Sequence, residues 1–427
     1  MNKFYFVSVL ILSLNIYAED GFDDDGFDDE NIEVVLVSQD SVQGELYGSI
    51  NFEAHQNISN NKNLSSSKIL VDLLGDYKFE NGAKLSANLK SYYDFVYQLE
   101  NLTVPNGYKN EIELNELNIE LEILPNLDFK IGRQVVVWGK SDSIRITDIL
   151  NPLDNRKPGL VDIKNLRLGR TMSKLDYYVD NLNYSIIALH ENRFSKNPKS
   201  GSDFKSATDL NEIHPDDSFE NTGIAISLTG AFEGYDIGVY YANTYIDKPY
   251  LFTGVSNVLK YDNKSNMFGS AFNLVDGSFL FKAEVAHFDN INYNGTADAK
   301  SRTDVLLGVE YNGITDGSIG YEVALRKIHD YEADIYLNNN YTVESQYQQV
   351  FRFSQSYLNQ TLNLTSVLSA FGNHAQDGGS ARVELDYALD DELTISGGVI
   401  DYLAGDNPAI NAFKDNDRIF AKVTHSF

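Results

Sequence analysis

A chain of 427 residues with a net charge of −28 and no cysteine can hold no disulfide framework, thiolate catalyst or cysteine metal site, and its acidity argues against a nucleic-acid partner. Past the first residues no apolar run approaches the roughly 20 that a membrane helix needs. Only 8 prolines occur against 27 Tyr and 24 Phe, and no proline-rich linker divides the chain into domains.

The N-terminus reads MNKFYFVSVLILSLNIYAED. One lysine, an apolar run from Phe4 to Leu14 and the small Ala18 ahead of the first acids read as a secretory signal peptide over residues 1–18. Residues 19–42 follow, opening EDGFDDDGFDDENIE. Such a block repels itself and buries no core, which predicts a disordered acidic tail on the periplasmic side. Its repeat of Gly-Phe-Asp-Asp at Gly21 and Gly26 admits a solvated tail, weak cation binding, or a linear motif in which Phe22 and Phe27 dock a periplasmic or inner-membrane partner. An EF-hand aligned on Gly26 fails, because Gly21 and Ile32 fall where carboxylates are needed.

From residue 43 to 427 apolar and polar residues alternate in segments of about ten to sixteen, the length of tilted membrane strands. Eighteen can be drawn, from 43–55, 66–80 and 83–98 to 392–403 and 417–427. The long polar stretch Asn192 to Asp217 leaves sixteen open. Tight connections, among them Asn81-Gly82, Pro125-Asn126, Gly230-Ala231, Asp276-Gly277 and Asp316-Gly317, take turns with longer ones, and Asn-Gly and Asp-Gly are hairpin signals. A soluble sandwich would need an apolar interior. Here one face is polar throughout, with Asp72, Asp76 and Lys78 alternating with Val71, Leu73 and Tyr77. The fold class expected is all-β: a single transmembrane antiparallel β-barrel of 16–18 strands, with short periplasmic turns, long extracellular loops and aromatic girdles at the two interfaces.

The fourth segment changes register between Leu114 and Leu117, which predicts a bulge near Asn115-Glu116 and turns Glu111, Glu113, Glu120 and Glu122 toward the lumen. Pairing with Lys130 on the next strand and one wall of a charged pore are both open readings. The stretch from Gly132 to Lys174 then reverses the charge of the chain, with nine basic residues against four aspartates, and holds the only Trp. Arg133 shares parity with lipid-facing Phe129 and Ile131, so either a bulge at Gly132 turns it inward, the reading favoured because glycine permits it, or it sits near the interface.

Gly132-Arg133-Gln134, then Trp138-Gly139, then Asn151-Pro152 and Asp154 together resemble the signature of a large, porin-like family of Gram-negative outer-membrane barrels classed as a domain of unknown function. That family is often found with inner-membrane exporters of the resistance-nodulation-division type. The resemblance implies a channel and, through that association, movement of a hydrophobic or anionic compound across the envelope.

Residues Gly139 to Lys164 form an extracellular connection by parity, yet Ile144, Ile146, Ile149, Leu150 and Leu153 give it an apolar side. A loop of that length with apolar anchors is expected to fold into the barrel mouth, with a short helix from Asp142 to Leu150 ended by Asn151-Pro152. Lys140, Arg145, Arg156 and Lys157, with Arg133, Arg167 and Arg170 beside them, would then ring a pore constriction opposite the strand-4 glutamates and set ion preference. The competing reading is a basic outer surface for lipopolysaccharide phosphates and outer-membrane lipids.

The chain ends on Arg418 to Phe427, with Ile419, Ala421, Val423, His425 and Phe427 on one side. A terminal Phe on an alternating strand resembles the signal by which the barrel-assembly machinery recognises outer-membrane barrels. The seven His residues are scattered, and no HExxH or GxSxG occurs, so neither catalysis, metal nor cofactor is expected. The function expected is a channel for a small anionic or amphipathic solute; the alternative is an export-assembly component that recruits its partner through the acidic tail.

Overall fold

The computed structural model describes residues 44–427 except 60–62, 101, 106, 206–208, 254–256 and 338–340. The signal peptide and the tail with Phe22 and Phe27 lie outside the described residues. Eighteen antiparallel strands form one closed sheet. They are β1 (Gly44–Asn57), β2 (Leu64–Lys78), β3 (Lys84–Asp94), β4 (Asn110–Leu124), β5 (Leu127–Gln134), β6 (Arg170–Val179), β7 (Leu182–Leu189), β8 (Gly223–Phe232) and β9 (Tyr235–Tyr245), followed by β10 (Lys264–Asp276), β11 (Phe279–Ile291), β12 (Lys300–Ile314), β13 (Gly317–Ile328), β14 (Ser345–Tyr357), β15 (Leu362–Phe371), β16 (Gly378–Ala388), β17 (Leu393–Leu403) and β18 (Arg418–Ser426). Each pairs with its neighbour in sequence, and β1 closes on β18 from Ser49 opposite Ser426 to Asn57 opposite Arg418. Phe427 completes that seam by exchanging backbone hydrogen bonds with Gly48 (2.8 and 3.0 Å). A closed ring leaves no end strand without a partner, as hydrocarbon demands.

The tight turns gather at one end and the long connections at the other. Gly82 (φ +85°), Gly277 (φ +57°) and Asp316 (φ +54°) take the left-handed backbone that two-residue hairpins require. One turn differs from expectation. β8 runs on through Gly230-Ala231 and turns at Glu233-Gly234, where Gly234 takes φ +79°. The Asn115 bulge is present: Asn88 faces Glu116 and Leu89 faces Leu114, leaving Asn115 without an opposite residue.

The outer face is apolar, with Phe52, Ile112, Leu117, Ile186, Phe268, Leu307 and Ile419 exposed. A belt of that extent belongs in a bilayer. Tyr77–Phe79 and Phe279–Tyr311 ring pairs, both with centroids 4.8 Å apart, mark its lower rim, and Tyr93–Phe95 and Tyr241–Phe268, both at 4.9 Å, its upper rim. Among the described residues no helix is long and apolar enough to cross a membrane.

Candidate functional site

The connection from β5 to β6, residues 135–169, folds into the lumen. Ile144, Ile146 and Leu150 are buried, and with Trp138 they pack on the inward Met172, Ile187, Leu189, Ala225, Ala242, Met267, Ala286 and Leu306 of the wall. The expected helix from Asp142 to Leu150 does not form; the helical turn of this loop is Ile163–Leu166. Two causes lie in the same nine residues. Ile144, Ile146, Thr147 and Ile149 are β-branched and disfavour helix, and the wall takes the Thr147 N–H, which a helix would give to the Ser143 carbonyl. Glu284 on β11 accepts from the N–H of Lys140 (2.6 Å), Ser141 (2.8 Å) and Thr147 (3.2 Å) and from the Thr147 hydroxyl (2.8 Å). Glu322 on β13 accepts from the Ser141 hydroxyl (2.7 Å) and the N–H of Asp142 (3.1 Å) and Ser143 (3.2 Å). Two inward carboxylates thus hold the tip of the loop.

The signature residues pin its ends. Asn151 accepts from the Val136 N–H (2.8 Å) and donates to the carbonyls of Gln134 (3.2 Å) and Leu168 (2.9 Å), joining the strand that enters to the strand that leaves. The Pro152 carbonyl accepts from Leu168 N–H (2.8 Å). Trp138 stacks on Tyr240, centroids 4.9 Å apart. Gly139 (φ +86°) lies so close to Glu284 that a Cβ there would stand 2.7 Å from the carboxylate. Gly132 (φ +126°) leaves no room either, since its Cβ would meet the Leu117 carbonyl at 2.3 Å. Gln134 donates to the Met172 carbonyl (3.2 Å), and Asp154 accepts from Arg156 Nε (2.8 Å).

The charged residues are distributed over the contacts between loop and wall. Lys140 meets Asp236 at 2.8 Å. Arg145 and Arg167 share Asp148 at 3.1 and 2.9 Å. Arg156 bridges Asp154 and Glu111, and Lys157 approaches Ser66 (3.3 Å) on β2 and Asp94 (4.0 Å) on β3. Arg170 is buried and donates to the Glu191 carbonyl and to Thr244 Oγ1. Glu120 pairs with Lys130 (3.3 Å), and Glu122 stands opposite Asp128 on β5. Glu113 joins Arg193 and Lys196, both at 2.6 Å. Arg193, Lys196, Glu284 and Glu322 escaped sequence reasoning; for the glutamates inward parity was the available signal, but nothing local marks which inward carboxylates a distant loop will reach.

The bulge expected at Gly132 is absent. Pairing runs unbroken through Asn118–Gly132 and Leu117–Arg133, and on the other side through Gly132–Met172 and Arg133–Thr171. Gly132 serves close approach instead, and Arg133 keeps the outward face. A bare arginine there costs about 2–4 kcal/mol at mid-membrane and less toward the interface. Arg133 offsets this by pairing with Glu191 (2.5 Å) and donating to the Leu114 carbonyl (3.2 Å).

Between the loop and the wall of β11–β14 remains a cavity of about 410 Å³, lined by Lys140–Ser143, Asp162, Lys164, Arg167, Lys282, Glu310, Glu322 and Arg352. Most of its charges are matched: Lys282 by Asp142 and Glu310, Arg352 by Asp162. Lys164 makes no ion pair among the described residues.

Solved barrels share this architecture. Acinetobacter baumannii OccAB4 is 10% identical with a TM-score of 0.53, covering 91% of this chain and 99% of its own. Pseudomonas aeruginosa OccK8 (OprE) and P. aeruginosa OpdK, the latter solved with vanillate, each match at 10% identity and a TM-score of 0.52, over 90% of this chain and 98% of theirs. No curated protein matches the sequence. The family model described as "Protein of unknown function (DUF1302)" matches residues 41–427, and the chain belongs to that family.

Proposed function

We propose that this protein is an outer-membrane channel for a small anionic or amphipathic solute, narrowed by the inward loop 135–169. The observation that carries the reading is the cavity left between that loop and the wall, on the side where Lys140–Ser143 are held by polar contacts to Glu284 and Glu322 and charged side chains line the space. A lumen-lining charge sets ion preference at close quarters, and Lys164, with no carboxylate to neutralise it, favours anions where the remaining charges cancel. The likeness of fold to OpdK, solved with the carboxylate vanillate, is in keeping with this class of solute. The outward row ending in Phe427 supports recognition of β18 by the barrel-assembly machinery.

Planar-bilayer recording tests the reading. Lys164→Glu is expected to move the reversal potential in a salt gradient toward that of the cation while leaving the barrel folded. An unchanged reversal potential in the folded variant would remove Lys164 from the path, and absence of any conductance in the parent protein would end the channel reading.

A further inference from the structure

The barrel wall is incomplete on one side. Leu117–Arg133 is the last pair between β4 and β5, yet β4 continues from Glu116 up to Asn110 with no strand on that flank. β5, β6 and β7 are short, at 8, 10 and 8 residues against 15 for β4, and their uppermost pairs are Gln134–Arg170 and Met172–Leu189. The result is a notch between the upper half of β4 and the tops of β6 and β7. It lies within the apolar belt: Ile112, on the lipid face of β4, is 75% exposed, and the upper aromatic rim at Tyr93, paired with Asn110, stands above it.

Backbone groups cannot face hydrocarbon without partners, so such an edge must be covered. The cover is the segment following β7, and side chains rather than a ladder attach it to β4. Arg193 donates to the Gly169 carbonyl (2.6 Å) and to Glu113 (2.6 Å); Lys196 meets Glu111 (3.0 Å) and Glu113 (2.6 Å). Glu191 receives Arg133 (2.5 Å) and the N–H and hydroxyl of Thr171. Its far side is joined to the inward loop, where Lys196 N–H donates to the Leu153 carbonyl (2.9 Å) and Asn155 N–H to the Lys196 carbonyl (2.8 Å). Parting these would cost no rung of the barrel ladder.

We infer that the notch is a lateral portal, closed here by the segment carrying Glu191, Arg193 and Lys196, through which an amphiphile passes between the lumen and the outer leaflet. The polar head exchanges into the Arg133, Arg193, Glu113 and Lys196 network while the apolar tail stays among Ile112 and its lipid neighbours. This inference rests on the channel reading for the luminal half of the path.

The chain has no cysteine, which makes thiol cross-linking clean. Glu113→Cys with Arg193→Cys, and independently Glu111→Cys with Lys196→Cys, would be joined by a reducible bis-thiol linker in the full-length protein in vesicles, with heat-modifiable migration confirming a folded barrel. Transfer of a dansyl-tagged dodecyl sulfonate from the outer leaflet to albumin trapped inside is measured beside bilayer conductance. The portal predicts that linking lowers transfer to the rate of protein-free vesicles, leaves conductance unchanged, and is reversed by reduction. Transfer unaffected by the linker, no transfer by the unlinked protein, or joint loss of transfer and conductance on linking would each overturn it. Absence of conductance with transfer intact would instead overturn the channel reading and leave the portal standing.

Discussion

At the scale of single residues, the signature stretch is best understood as a set of pins for one loop. Asn151 spends its whole amide on three backbone groups, Gln134 at the end of β5 and Val136 and Leu168 at the two ends of the loop. Asn151→Ala strands those groups, each lost bond costing about 1 kcal/mol and more where a buried partner is left unsatisfied. The expected outcome is a larger, noisier single-channel conductance with heat-modifiable migration intact. Gly139→Ala should act alike, since a side chain at φ +86° carries about 1–3 kcal/mol of strain and its Cβ collides with Glu284. Lys157 supplies a pH signature. Burial, with Lys68 and Arg418 nearby, holds its ammonium down to about 8, below the ordinary lysine value. Below pH 8 the charge is present in folded and unfolded chains alike, and the cost of holding it in a half-buried site is borne. Between about 8 and the unfolded value near 10.4 the folded chain sheds the proton first, so this residue's contribution to stability rises with pH across that window. The lumen loses one positive charge over the same step. Anion preference should therefore fall as pH passes 8, and Lys157→Met should flatten that titration in reversal-potential measurements.

At the scale of elements, the loop 135–169 is organised by what receives it. Its tip has neither helix nor strand, and its conformation is dictated by the carboxylates of Glu284 and Glu322 accepting successive backbone N–H groups. Hydrogen bonds to charged acceptors contribute about 1.5–3 kcal/mol apiece. Glu284→Gln with Glu322→Gln should free the tip, seen as new protease cleavage near Ser141–Ser143 while the barrel stays resistant; an unaltered cleavage pattern would show that apolar packing alone seats the loop. The connection from β7 to β8 is a second inward element. Its Phe204 packs on Tyr402 and Phe413, with ring centroids 5.7 Å apart in each case, and Asp203 meets Arg418 of β18 at 3.4 Å, so this strap crosses from β7 to the closing seam.

At the scale of the whole molecule, the closed ladder predicts β-type circular dichroism and migration in detergent that shifts only on boiling, because every strand is paired on both sides and none is left as an end strand; a helix-dominated spectrum would contradict it. The sequence by itself determined the barrel. A period of two, kept from residue 43 to the last Phe and broken by Asn-Gly and Asp-Gly at alternate connections, decides which residues meet lipid, because a slip of one residue would turn every side chain over. The Asn115 bulge was legible for the same reason, as a parity change inside one strand, and so was the inward loop, whose isoleucines have nowhere else to go. The helix drawn over Asp142–Leu150 and the bulge drawn at Gly132 were not borne out, and both differences come from partners outside the local window: Glu284 captures the Thr147 N–H beside β-branched neighbours, and Leu117 crowds Gly132 so tightly that only glycine fits in register. Charge partners, the height of β5 to β7 and the notch beside β4 were likewise decided by tertiary structure. Parity says which way a side chain points; which distant carboxylate it meets inside a ring of eighteen strands depends on closure, which no local window of sequence contains.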